Sequence, residues 1–420
     1  MPADRIDLTS WVTHFVHDRN PSNDPAVLFN EGEERPAFPL HEDLKASRRF
    51  DVWEMSDADA GLEADASAVS VLLKILGDGH IRAGWSFRNG RATIYGPRAA
   101  CCFTEMPLHA LLDYAKSRTE KDVGTYAVAL PRDELFAAGG RPVIYGLSGP
   151  HKEAPPGGAW PRKLDPSCGI AEHEQYRYVA MNLGGGRRID WSHEREWRWS
   201  DVNDVCSCPG LPVWLADEPI AFSRAMVLVP DRQTAGRALD LLARLHGAKG
   251  HDYGFPYNTD LLRVTKVVAL EEALPVMATL GRPARIEDLP AHTIREFESP
   301  TPSSELIAQV RQAIEVAHDA ARFAAAEYSA TARRSPDGHI LDVAGFAHVI
   351  IGDPQHPVAA ALHALGETKS FSRGGCWVSD FAFRAAGSSL GEAEAAAEAA
   401  AAVLRSRFAG VSFYVRSYWD

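Results

Sequence analysis

Apolar and polar residues alternate along Trp11-Val12-Thr13-His14-Phe15-Val16-His17, the period-two pattern of a strand that sets Thr13 and His14 on opposite faces. Residues 66–76 switch to helical spacing. Val69, Leu72, Leu73 and Leu76 fall on one stripe, and Gly77-Asp78-Gly79 supplies the stop. A short apolar strand at 101–103 runs into Thr104-Glu105-Met106-Pro107. A Thr104 or Glu105 cap with Pro107 in the first turn predicts a helix carrying Leu108, Leu111, Leu112 and Ala115 on its apolar face. Strand 125–130, helix 131–138 closed by Gly139-Gly140, and strand 142–146 follow. Further on come a buried-looking strand at 225–230, a helix at 234–245 ended by Gly247, and a strand at 264–270. Strands and helices alternate, but the helices are short, so the expected fold class is α+β with a mixed sheet.

Two stretches interrupt this pattern. Residues 18–65 are polar, acidic and proline-containing with no period, and read as a long insertion. Residues 289–304, with Pro290, Pro300 and Pro302, read as a linker. Beyond the linker the pattern predicts an alanine-rich helix over 305–334, strand 340–351, helix 357–365, strand 375–383, helix 390–407 and strand 411–415. The expected organisation is a domain over 1–290 and a smaller C-terminal α/β module over 303–420, in which no catalytic cluster is legible.

The chain has 420 residues, 45% hydrophobic and 24% charged, enough for more than one core. No apolar run approaches the roughly 20 residues of a membrane span, and Met1-Pro2-Ala3-Asp4-Arg5 does not open a secretion signal, so the expectation is a cytoplasmic protein with no membrane contact. Cys101 and Cys102 are adjacent and Cys206 and Cys208 one apart, which suits reduced thiols. The net charge of -12 argues against broad attraction to nucleic acid while leaving room for a local basic patch.

The richest chemistry lies in Asp190-Trp191-Ser192-His193-Glu194-Arg195-Glu196-Trp197-Arg198-Trp199. As a strand, this stretch places Glu194 and Glu196 on one face and Arg195 and Trp197 on the other. Gly184-Gly185-Gly186-Arg187-Arg188 precedes it, a loop able to bring main chain close to a ligand. Two readings stand: a catalytic edge, or a surface strand laced with ion pairs. Cys206-Ser207-Cys208 with His193 offers zinc-ligand atoms without the spacing of a zinc knuckle. Neither a Walker loop nor a Gly-x-Ser-x-Gly elbow is present.

The ordered set His14-Phe15-Val16-His17, the Leu72 to Gly79 helix end, Cys102-Phe103-Thr104-Glu105-Met106-Pro107-Leu108, Tyr126-Ala127-Val128-Ala129-Leu130, Arg141-Pro142-Val143-Ile144-Tyr145 and His193-Glu194-Arg195-Glu196-Trp197-Arg198 resembles the AbiGi-type abortive phage resistance proteins over about the first two thirds of the chain. More distantly, an early strand histidine followed by a late Glu-x-Glu behind a glycine loop is similar to the ADP-ribosyltransferase fold, including the DarT group that modifies DNA. The C-terminal module resembles small domains of uncharacterised phage and plasmid proteins.

The resemblance implies an NAD-dependent ADP-ribosyltransferase used as a toxin or defence protein against phage, with NAD as substrate and a nucleic acid or protein as acceptor. It implies Glu196 beside the ribose, where positive charge develops as the nicotinamide bond breaks, and Glu194 orienting the acceptor or acting as general base. It further implies His14 on the adenosine side, Tyr126 or Tyr145 stacked on nicotinamide, and Arg82 on the pyrophosphate. Thr104 stands in for the serine-threonine-serine strand of many such transferases, which this chain lacks. The rival expectation is a non-catalytic antitoxin, sensor or interaction subunit that binds a phage or defence-system protein. The transferase reading requires His14 and the Glu194/Glu196 pair to flank one hollow large enough for a dinucleotide.

Overall fold

The computed structural model describes residues 5–20, 62–63, 65–88, 91–117, 125–155, 162–184, 188–247, 256–298, 301–353, 356–370, 376–382 and 389–419. Most of the 18–65 insertion therefore lies outside the described residues. The chain forms two compact units, one from residues 1–239 with 264–296 and the other from 240–263 with 297–420.

The first unit is built on one eight-stranded sheet. Its strands are β1 (Trp11–Val16), β5 (Cys101–Thr104), β6 (Tyr126–Pro131), β7 (Arg141–Pro142), β10 (Glu196–Trp199), β12 (Met226–Val229), β13 (Lys266–Ala269) and β14 (Ile294–Arg295). They run in the order β14-β13-β12-β6-β1-β5-β10-β7. Every pairing is antiparallel except β12 with β13, which makes the sheet mixed and the fold α+β. Small outlying pairs join β2 (His80–Arg82) to β11 (Gly210–Pro212), β3 (Phe87–Arg88) to β4 (Arg91–Ala92), and β8 (Ile144–Tyr145) to β9 (Tyr178–Val179).

Helix α1 (Ala68–Asp78) buries Leu72, Ile75 and Leu76. It ends where Gly79, at φ 73°, donates its amide back to Ile75 and Leu76, a left-handed cap that glycine adopts without strain. Helix α2 (Leu108–Ser117) and, after α3 (Arg132–Ala137), α4 (Arg232–Gly247) and α5 (Thr259–Val264), helix α6 (Leu270–Met277) cover one face of the sheet. Leu108, Leu111 and Leu112 of α2 and Ala273 and Met277 of α6 share a buried cluster with Trp11, Ala127, Ala129, Met226, Leu228 and Val268, which occupy successive inward positions of β1, β6, β12 and β13. Each fully buried leucine of this kind contributes about 1.5–3 kcal/mol.

The second unit carries a four-stranded antiparallel sheet, order β16-β17-β15-β18, from β15 (Gly345–Ile351), β16 (Thr368–Ser370), β17 (Cys376–Val378) and β18 (Phe413–Trp419). Helices α7 (Ser304–Thr331), α8 (Pro357–Ala364) and α9 (Leu390–Arg407) pack on its inner face. Ala313, Ala317, Ala321 and Ala325 of α7 are buried with Ala393, Ala396, Ala397, Ala400 and Ala401 of α9; such small side chains let helix axes approach closely. Ser303 and Ser389 cap α7 and α9 by accepting the amides of Leu306 and Glu392. The strand expected over 375–383 is shorter: β17 stops at Val378, and the chain turns at Ser379. Among the described residues no helix is long and apolar enough to cross a membrane.

Candidate active site

Strands β5 and β10 pair with Thr104 opposite Glu196, Phe103 opposite Trp197, Cys102 opposite Arg198 and Cys101 opposite Trp199. Side chains directly opposite each other in an antiparallel pair share a face. Thr104, Glu196, Cys102 and Arg198 therefore stand together, and the β1–β5 pair Thr13 with Thr104 extends that row to Thr13. Phe103, Trp197, Cys101 and Trp199 lie on the opposite face.

The Glu196 carboxylate accepts from Arg198 Nε at 2.7 Å, with their side chains 12% and 5% exposed. Arg198 Nη1 also donates to the carbonyls of Tyr176 at 2.6 Å and Tyr178 at 3.2 Å. Burial opposes the guanidinium charge, but Glu196 and Cys102 outweigh it and the arginine pKa is raised. Burial, then Glu196, pushes the Cys102 thiol up to about 12, so it is a protonated thiol and no nucleophile. The Tyr145 hydroxyl accepts from the Glu196 amide at 2.7 Å. Burial drives its pKa up to about 12, with the charges of Glu196 and Glu194 acting the same way.

Glu194 does not lie on the strand. Ser192–Glu194 is a 3-10 turn, Arg195 sits in the left-handed region at φ 47°, and β10 starts only at Glu196. The period-two argument for a shared face fails there, because the left-handed residue resets the direction of the chain. Tertiary contacts hold the kink. Thr104 Oγ1 donates to the Glu194 carbonyl at 2.5 Å, the Glu105 amide donates to the Arg195 carbonyl at 3.1 Å, and the Arg195 guanidinium donates to the Asp7 carbonyl. The kink nevertheless keeps residue 194 beside residue 196, since Thr104, which stands opposite Glu196 in the β5–β10 register, also bonds the Glu194 carbonyl. The Tyr114 hydroxyl donates to the Glu194 carboxylate. Around Glu194 the Tyr114 ring lies 5.5 Å from His193 and 6.2 Å from Phe15, His193 lies 6.2 Å from Trp191, and Arg88 stands 5.4 Å over Trp191.

Of the residues singled out in the sequence, Glu194, Glu196, Thr104 and Tyr145 gather here. His14 does not. It follows Thr13 in β1 and so faces away from Thr104 and Glu196, which removes the shared hollow expected between histidine and carboxylates. Its Nδ1 lies 2.8 Å from the Cys102 carbonyl and its ring 5.7 Å from Phe103. Burial lowers its pKa, against the opposing effect of that carbonyl. Tyr126 pairs with Val16 and lies on the His14 face, and Arg82 belongs to the separate β2–β11 pair. Gly185, Gly186 and Arg187 of the glycine loop lie outside the described residues.

Four further residues belong to this constellation. Tyr114 sits three positions after Leu111 at the margin of the apolar stripe of α2, and only that spacing hints at it. Cys102 and Arg198 follow from the β5–β10 register, and Thr13 from the rung to β1. Thr13 is 1% exposed, and its hydroxyl has no hydrogen-bond partner among the described residues. Among those residues no group of three or more His, Cys, Asp or Glu side chains is placed to hold a metal ion. Chemically the cluster offers one carboxylate tied to a buried guanidinium, one bonded to a half-buried phenol, and the rings of Tyr114, Trp191 and the exposed His193, on which a planar base can stack. Searches against family models, curated proteins and solved structures each return no match to this chain.

Proposed function

We propose a narrower reading than the His14-flanked dinucleotide site, which the placement of His14 rules out: the Glu194/Glu196 cluster alone is the active site of an NAD-dependent ADP-ribosyltransferase acting in bacterial defence against phage or as a toxin, with a nucleic acid or protein acceptor. The observation that carries this reading is that Thr104 joins Glu194 to Glu196, with Tyr145 bonded at Glu196 and the rings of Tyr114, His193 and Trp191 at Glu194. Breaking the bond between nicotinamide and ribose builds positive charge on the sugar, and a carboxylate near it stabilises that charge. Glu194 is half-buried, and its carboxylate accepts from the Tyr114 hydroxyl. The aromatic neighbours are suited to stacking on nicotinamide or adenine. His14, Tyr126 and Arg82 have no part in the proposed site.

A non-catalytic interaction role is the second reading, favoured by the Glu196–Arg198 pair, whose geometry is that of a buried structural ion pair on an interior strand. Incubating the purified chain with NAD labelled in the adenosine moiety, alone and with bacterial DNA, RNA and lysate protein, separates the two. The transferase reading expects label in one acceptor class, nicotinamide release, and a loss of roughly 100-fold or more in Glu194→Gln. Absence of both label and nicotinamide across all acceptors overturns it in favour of the interaction role, and transfer that Glu194→Gln leaves unaffected removes this cluster as the active site.

A further inference from the structure

Ser379 follows the last residue of β17 at φ 46°, a conformation a non-glycine residue holds only when its surroundings impose it. The chain turns there and becomes helical at Phe381 and Ala382. The turn is anchored by the Ser379 amide, which donates to the Glu367 carbonyl at 2.8 Å. At this strained strand-to-helix corner the Ser379 Oγ lies 3.1 Å from Nε2 of His318, carried by the long helix α7. The His318 ring packs against Phe381 at 4.7 Å between centroids, so the residue two places after the serine fixes the imidazole that faces it. Both Ser379 and His318 are half-buried.

We propose that Ser379 and His318 form a nucleophile–base pair for acyl transfer from carboxylic esters, a second site independent of the Glu194/Glu196 cluster. A serine hydroxyl is a weak nucleophile until a neighbouring base takes its proton, and the heavy-atom separation here is that of such a pair. A sharp strand-to-helix turn with a strained serine also presents the Oγ clear of its own strand, the geometry of a nucleophile elbow. The flanking glycines of that motif are replaced by Trp377 and Phe381, which is why the sequence gives no sign of it. With its ring proton on Nδ1, His318 accepts the Ser379 proton at Nε2. Ser379 Oγ bonds to the ester carbonyl carbon, the carbon–alkoxide bond breaks, and His318 returns the proton to the departing alkoxide. Water then adds to the acyl-serine, giving its proton to His318, and the carboxylic acid leaves as Ser379 regains its hydrogen.

The test uses the full chain with diisopropyl fluorophosphate, whose phosphorus bonds to an activated serine oxygen with loss of hydrogen fluoride, and with p-nitrophenyl acetate as ester. Expected are an adduct mapped by peptide mass spectrometry to Ser379, a burst of p-nitrophenol equal to the protein present, and a labelling rate reduced roughly 100-fold or more in His318→Asn. Ser379→Gly, which relieves the positive φ, is expected to melt no lower than the wild type yet to take no label. A folded chain that leaves Ser379 unlabelled, or a His318→Asn variant labelled as fast as the wild type, overturns the proposal and leaves the contact as a helix-to-strand hydrogen bond.

Discussion

Arg198 Nε lies 2.7 Å from Glu196 Oε1, both side chains nearly closed to water. Removing one member of a buried ion pair strands the other charge, which costs about 3–5 kcal/mol, whereas replacing both with apolar groups of similar volume is often neutral or better. Glu196→Gln is therefore expected to lose stability of that order, and Glu196→Leu with Arg198→Met to recover most of it. Urea unfolding of the wild type and the two variants checks this. An unchanged midpoint in Glu196→Gln would mean that water reaches Arg198.

His14 acts as a bracket between β1 and β5 through its 2.8 Å contact with the Cys102 carbonyl. His14→Ala leaves that carbonyl without its partner and a gap beside Phe103, at an expected cost of about 2–4 kcal/mol. His14→Gln, which can still donate to the carbonyl, should recover part of it. Because His14 faces away from Glu196, neither change should alter the proposed NAD consumption per folded molecule. A selective loss of activity in a well-folded His14→Gln would contradict that placement.

Thr13 presents the reverse case, since its buried hydroxyl has no partner among the described residues. Thr13→Val keeps the shape and removes an unsatisfied group, so the free protein should be unchanged or more stable by up to about 1 kcal/mol. Calorimetric melting decides it, and a fall in the midpoint would show that the hydroxyl holds a bond.

Acid is expected to weaken the fold below pH ~6.5, the unfolded value for histidine. Burial brings His80 down to about 4 and lowers His14, so both are neutral in the folded protein where the unfolded chain binds protons. Stability is then full above the unfolded pKa and lost as pH falls toward the folded one. The His80 shift alone corresponds to about 3 kcal/mol by pH 4. Unfolding midpoints from pH 7 to 4 should fall, and His80→Gln should flatten the curve.

The period-two run at Trp11–Val16 and the helical stripe ending at Gly79 could be read in the sequence because each carries its own spacing and its own stop. The relation between Glu194 and Glu196 could not. Arg195 adopts a left-handed conformation through contacts with Asp7 and Glu105, residues remote in the chain, and nothing in its own side chain announces it. The face on which His14 stands depends likewise on which residue of β5 meets Thr13, and a slip of one position would reverse it. Ser379 and His318 are joined only by the packing of α7 on the second sheet, and no motif links them.

The eight-stranded sheet is continuous, yet between β1 and β5 it has one registered pair, Thr13 with Thr104, against six between β1 and β6 and four between β5 and β10. Mechanically it is two panels on a narrow hinge, five strands on one side and three, bearing Glu196, on the other. Amides flanking the hinge should exchange with deuterium faster than those of β6 and β12, and a ligand spanning it would act as a latch, slowing both panels together.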